Sequence, residues 1–171
     1  SMSFGGSGLL RSTSGQAEGP YEPVAQVEKF GLGGGFFFDD DGAVYHTAGC
    51  TEIARMKDDL TGLAEKPRRI GPASGMRYGY EGGRLMKILG KYVLFGVDWN
   101  GTDIWLEGRK GEGTYDAVYC VADRLDGPYS DPRLAIPHVG ALIQSPDGGW
   151  WASTFGNANG DITAAAPCEL G

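Results

Sequence analysis

Short alternating runs of apolar and polar residues fill this chain, broken every few positions by glycine with aspartate, asparagine or proline. A period of two marks half-buried strands, and helical spacing is nearly absent. The best helical stretch, residues 53–63, contains Asp58-Asp59 and Thr61-Gly62 and reads as a turn. Three strand pairs surround tight-turn residues. Residues 36–38 and 43–47 flank Asp39-Asp40-Asp41-Gly42, whose Asp-Gly supplies the positive φ that tight hairpins need. Residues 84–88 and 92–96 flank Leu89-Gly90-Lys91, and residues 142–144 and 150–155 flank Ser145-Pro146-Asp147-Gly148-Gly149. Residues 9–13 and 114–122 predict two further strands.

The hairpin glycines Gly42, Gly90 and Gly148 recur at steps of 48 and 58 residues. A second repeat interleaves with them: the runs from Leu10 and from Tyr119 both end in Gly-Pro-Tyr, at Gly19-Pro20-Tyr21 and Gly127-Pro128-Tyr129, 108 residues apart. Repeats of roughly 40 to 50 residues with up to four strands each are the mark of a β-propeller. The expected fold is all-β, a partial β-propeller of about three to four antiparallel blades. A sandwich with similar hairpins is the alternative.

Composition adds limits. A chain of 171 residues has the size of one domain. Ser1 ahead of Met2 reads as a tag remnant, residues 1–8 as an N-terminal tail, and residues 9–171 as the propeller domain. Glycine, at 30 residues, is far above its usual ~7% share, and its clustering with Asp, Asn and Pro places it in turns. A net charge of −7 argues against nucleic acid, which needs a basic footprint. No apolar run approaches the ~18 residues of a membrane helix, and residues 1–10 lack a signal-peptide core. Cys50, Cys120 and Cys168 are odd in number and widely spaced, so they read as buried thiols, with no metal site and no cofactor expected.

Four motifs, in order, carry a family resemblance. Phe37-Phe38-Asp39-Asp40-Asp41-Gly42-Ala43-Val44-Tyr45 leads into Ile53-Ala54-Arg55-Met56-Lys57-Asp58-Asp59-Leu60-Thr61-Gly62-Leu63. Tyr80-Glu81-Gly82-Gly83 continues to Met86-Lys87 and Gly90-Lys91-Tyr92-Val93-Leu94-Phe95. Gln144-Ser145-Pro146-Asp147-Gly148-Gly149-Trp150-Trp151 and the two Gly-Pro-Tyr endings complete the set. Together they resemble a glycoside hydrolase family 43 five-bladed propeller over residues 9–157, as if incomplete at its first blade.

The resemblance implies hydrolysis of arabinose- or xylose-type glycosides by an aspartate base, a glutamate acid and an aspartate that tunes the acid. Acid and base need opposite protonation near neutral pH, hence different environments. Glu81 matches the acid, while the bland alternative is a surface glutamate at a strand entrance. The base has no counterpart upstream of residue 9, and Gly33 stands where the tuning aspartate belongs. In Pro137-His138-Val139-Gly140, Val139 occupies the position of a family histidine, with His138 one residue early. Asp98 and Asp103, in a loop after the Glu81 hairpin, with Trp99 or Trp105 to stack on a sugar ring, are the carbohydrate-contact candidates beside His138. Asp39, Asp40 and Asp41 read as a solvated turn and not a calcium loop, and His46 as a hydrogen-bonded sheet residue. Trp150 and Trp151 belong to opposite faces of one strand, one in the core and one exposed. The expected partners are carbohydrate and a second copy meeting open propeller edges, with a truncated fragment or a smaller closed ring as alternatives. With base and tuner lacking counterparts, the isolated chain is expected to be a weak or inactive glycosidase, or a carbohydrate-binding or self-assembling propeller fragment without catalysis.

Overall fold

The computed structural model describes residues 7–27, 34–75, 81–99, 115–136, 140–155 and 162–167. Every regular element among them is a strand, thirteen in all, arranged as four antiparallel sheets in chain order. The first pairs β1 (Ser7–Ser12) with β2 (Tyr21–Val27). The second runs β3 (Gly34–Phe38), β4 (Val44–Ala48), β5 (Glu52–Arg55) and β6 (Arg68–Arg69). The third comprises β7 (Glu81–Ile88), β8 (Lys91–Trp99), β9 (Tyr115–Ala122) and β10 (Arg133–Ile136). The fourth holds β11 (Gly140–Gln144), β12 (Trp150–Phe155) and β13 (Ile162–Pro167). Up-and-down meanders packed sheet on sheet are propeller blades, so the partial propeller expected from the repeat is the fold observed.

The predicted hairpins are β3–β4, β7–β8 and β11–β12, each the leading pair of its sheet. At the first, Asp39 and Ala43 close the turn and Gly42 adopts φ 83°. The second is tighter. Ile88 pairs Lys91, leaving Leu89 (φ 50°) and Gly90 (φ 75°) as a two-residue loop with positive φ at both positions. Two positive φ values suit the twist of a hairpin, but a leucine pays a steric cost that Asn or Gly escapes.

The Gly-Pro-Tyr repeat is a structural repeat as well. It lies at the β1–β2 connection, where Tyr21 opens β2, and again between β9 and β10. Both glycines have positive φ, 83° at Gly19 and 86° at Gly127, and both glycine-proline peptides are cis. Each tyrosine hydroxyl donates to the carbonyl four residues back, Tyr21 to Ala17 and Tyr129 to Leu125. The first sheet is therefore locally equivalent to the outer strands of the third.

Packing follows the two-residue alternation. One face of the third sheet brings Leu85, Leu94, Val118 and Cys120 against Phe37 and Ile53 of the second. Its other face brings Met86, Phe95 and Ala117 against Leu142 of the fourth, with Trp150 and Tyr119 beside them. Leu9 and Val27 of the first sheet pack on Met56, next to Val44. Trp150 is half-buried and Trp151 exposed, as strand alternation requires. Cys50 and Cys120 are both buried in the core. Burial first, then Asp131 and Cys50, pushes the Cys120 thiol up to about 12, so it stays protonated and inert. Cys168 lies outside the described residues.

Residues 53–63 are not helical: β5 ends at Arg55 and a turn follows, with Leu60 donating its N–H to the Lys57 carbonyl. Strands β2, β5, β6, β10 and β13 lie beyond the set that the hydrophobic pattern predicts. Pro23 interrupts the alternation of β2, and the burial of β2 comes mainly from its last residue, Val27.

Between the second and third sheets the approach is backbone to backbone. A Cβ on Gly83 would lie 1.7 Å from the Gly49 carbonyl oxygen and 2.6 Å from the Cys50 Cα. Gly90 and Gly83 thus differ in kind, one needed for its φ and the other for its lack of a side chain. Replacing Leu89 by Asn should stabilise the protein by about 1 kcal/mol, since Asn tolerates the left-handed region. Gly83→Ala should destabilise it by more than ~3 kcal/mol through overpacking against main chain that cannot yield. Urea denaturation of both variants beside the parent checks the opposite signs.

Candidate functional site

Glu81 opens β7, opposite Val97 of β8. Between Glu81 and Arg84 the register slips, so Gly82 and Gly83 form an irregularity one step beyond the acid. Gly82 takes φ 65°, and a Cβ there would come within 3.3 Å of Val97 Cγ2. Gly83 is pressed on the β4–β5 turn at Gly49 and Cys50. Arg84 then donates from Nη1 to the Leu142 carbonyl of β11 at 3.1 Å. The strand that begins with Glu81 is thus fixed to the sheet before it by a glycine contact and to the sheet after it by an arginine. Bulges of this kind re-aim the chain at sheet ends and beside active sites.

Asp98 and Trp99 are the last two residues of β8 and pair with Asp116 and Tyr115. This corrects the loop expected for them: β8 runs nine residues and carries both inside the ladder. Because Glu81 pairs with Val97, backbone register brings Glu81, Asp98 and Trp99 to one end of the third sheet. Gly34 and Gly140 begin the leading strands of the second and fourth sheets, as Glu81 begins that of the third. Trp105, His138, Asp103, Gly33 and Val139 lie outside the described residues.

The opposite end of the β7–β8 hairpin holds a polar cluster absent from the sequence reading. Lys87 Nζ lies 3.0 Å from Asp39 Oδ1 and 2.7 Å from Asp40 Oδ2. The Tyr92 hydroxyl donates to Asp39 Oδ2 at 2.8 Å, and Lys87 sits 4.7 Å from the centre of the Tyr92 ring. Phe37 meets that ring edge-on at 6.0 Å. The Asp39 side chain is only 10% exposed, whereas Asp40 is 81% exposed. The turn is therefore solvated at Asp40 and Asp41 but not at Asp39, which the third sheet covers. Burial opposes ionisation of Asp39, yet hydrogen bonds from Lys87, the Asp40 N–H and Tyr92 outweigh it and hold the carboxyl below its ordinary value. Hydrogen bonds that the Lys87 ammonium donates to Asp40 and Asp39 push its pKa up in turn. A cleft of about 350 Å³ lined by Lys87, Ile88, Leu89, Gln144, Gly148 and Trp150 lies at this turn end, away from Glu81.

His46 is buried in β4, its ring 5.6 Å from Phe36 in an edge-on contact, and burial pulls its pKa down. It faces sheet packing and not the Glu81 end of the third sheet. Among the described residues no three His, Cys, Asp or Glu side chains gather as metal ligands.

Arg68 ties the second sheet to the β9–β10 turn, with Nη2 2.7 Å from Asp126, a bond to Glu65, and its guanidinium 5.9 Å from the Tyr45 ring centre. Pro72 bridges Tyr129, and Ser74 bonds Asp131. These contacts are half-exposed and set orientation more than stability.

No family model matches the chain. A putative beta-xylosidase from Xylanibacter ruminicola is 30% identical over 166 residues, spanning 86% of this chain and 29% of that protein. The chain therefore covers under a third of the curated relative it matches. A bifunctional GH43-CE structure from Bacteroides eggerthii is 27% identical, with TM-score 0.72, over 99% of this chain and 22% of the other. The GH43 BlXynB protein from Bacillus licheniformis shares the fold at 22% identity and TM-score 0.68, over 95% of this chain and 34% of its own.

The Asp39 cluster makes a pH-dependent prediction. A carboxyl held below its unfolded value of about 3.8 contributes stability that is present above that pH and lost as pH falls through the folded value. Lys87→Met should lower the melting temperature at pH 7, with the gap to the parent narrowing as pH falls below 4, as followed by circular dichroism melts.

Proposed function

This chain is glycoside hydrolase family 43-like in sequence and fold, a portion of a β-propeller, and on that premise we propose that it carries the acid half of a glycosidase site, with Glu81 as general acid. One observation carries the reading: Glu81 begins the leading strand of a sheet, on a double-glycine irregularity locked against Gly49. A general acid must hold one orientation toward the leaving oxygen while the glycosidic bond breaks. A main-chain contact without side-chain freedom supplies such rigidity. Asp98 and Trp99, at the same sheet end, are proposed to meet the sugar, Trp99 by its ring and Asp98 by its oxygens. Trp105 and His138 are proposed as further sugar contacts on the sequence reading alone.

In hydrolysis Glu81 would give its proton to the departing oxygen while a base takes a proton from water attacking the sugar carbon. An inverting reaction needs about 6.5 to 9.5 Å between the two carboxyl groups. The resemblance assigns the base to a blade preceding these residues, and Gly33 to the tuner's place. With Gly33 in the tuner's place, slow turnover is proposed for these residues. The second reading, carbohydrate binding without catalysis, rests on the same departure at Gly33.

Aryl xyloside and aryl arabinofuranoside are the probes. Slow release of phenol that falls about a hundredfold or more in Glu81→Gln, with xylose or arabinose binding retained by calorimetry, supports the acid role. Binding without release supports the second reading. Release unaffected by Glu81→Gln removes Glu81 from the reaction, and no binding of either sugar defeats both readings.

A further inference from the structure

We propose that the cleft between the β7–β8 and β11–β12 turns is a second saccharide site, apart from Glu81, which takes a short stretch of neutral sugar chain against Leu89 and Trp150. It presupposes the carbohydrate function proposed above but not the role of Glu81. Two hairpin turns build the cleft, Leu89-Gly90 and residues 145–149. Both walls come from neighbouring sheets inside the described residues. Register sets the site apart from Glu81: Ile88 pairs Lys91 beside the turn, whereas Glu81 pairs Val97 at the far end of the same hairpin. The cleft holds about 350 Å³, within the range of small-ligand pockets.

Its lining is amphiphilic. Trp150 is half-buried against the core of Met86, Phe95 and Leu142 and also lines the cleft, together with Ile88 and Leu89. Gln144 offers an amide and Lys87 an ammonium. A sugar ring has apolar C–H faces and hydroxyl edges, and such a mixed lining matches both. Charge narrows the class. Lys87 Nζ lies 3.0 Å from Asp39 and 2.7 Å from Asp40, so two carboxylates already answer its charge. An anionic sugar meets a net negative group there, and a neutral one does not suffer from it.

Leu89 is an independent sign. It holds φ 50° in a two-residue turn, where Gly or Asn sits without steric cost, and it is 84% exposed. The core gains little from its side chain. Backbone strain that packing does not compensate is a pointer to function. Leu89 lines the cleft, so its apolar contact with a ligand is what the strained turn provides.

The indole N–H signals of the four tryptophans, assigned by replacing each with Phe in turn, report where a sugar sits. In nitrogen–proton correlation spectra, xylotetraose should shift the Trp150 signal to saturation, in the parent and in Glu81→Gln alike. Tetragalacturonate should bind about tenfold more weakly or worse. Leu89→Gly should weaken xylotetraose binding about threefold or more with the strand signal in circular dichroism unchanged, since Gly-Gly suits such a turn. Shifts confined to Trp99 or Trp105 overturn the proposal and leave the Glu81 reading standing. No shift at any tryptophan overturns the proposal together with the carbohydrate function it presupposes. Binding unchanged in Leu89→Gly, or a preference for tetragalacturonate, overturns it as well. A Trp150 shift that Leu89→Gly weakens supports it, even if Glu81→Gln leaves turnover unaffected.

Discussion

At Gly83 two main chains touch with no side chain between them, and the placement of the whole third sheet depends on that contact. The Gly49 carbonyl occupies the space that any Cβ would need. Because the backbones meet there, Leu85 and Leu94 reach Phe37, Cys50 and Ile53 and close a core between two sheets. Sheet-on-sheet packing fixes side-chain length at every other point, so a single glycine sets the separation for all of them. The irregularity that opens β7 is its direct consequence, and Glu81 sits at its lip.

The other end of the same hairpin is held by different physics. Asp39 reaches from the β3–β4 turn to Lys87 and Tyr92, and its carboxylate has exchanged water for three protein donors. A buried carboxylate demands such partners, and meeting that demand orients the turn. Apolar contact, glycine contact and charge therefore grip β7 and β8 along their whole length.

The architecture is modular. Each sheet makes its own ladder and meets its neighbours through two apolar faces. The strand that begins at Glu81 is therefore placed by contacts between sheets, independently of what the residue does there.

The sequence by itself determined the hairpins, the turn chemistry and the repeat, because Asp-Gly, Leu-Gly and Gly-Pro-Tyr act locally through φ and short-range hydrogen bonds. It also marked Glu81 and the opposite faces of Trp150 and Trp151, which follow from motif order and two-residue alternation. Short outer strands such as β6 and β10 escaped it, since two to four residues carry too little alternation to read. Asp39 was legible as a turn residue but not as a buried ion, because its partners lie 48 and 53 positions away. Asp98 and Trp99 looked like loop residues until β9 paired with them. Gly83 was readable as glycine beside an acid, but why it must be glycine was decided only when the Gly49 carbonyl arrived against it from another sheet. Local codes specify turns; contacts between distant sheets decide which of those turns are buried, charged or poised for chemistry.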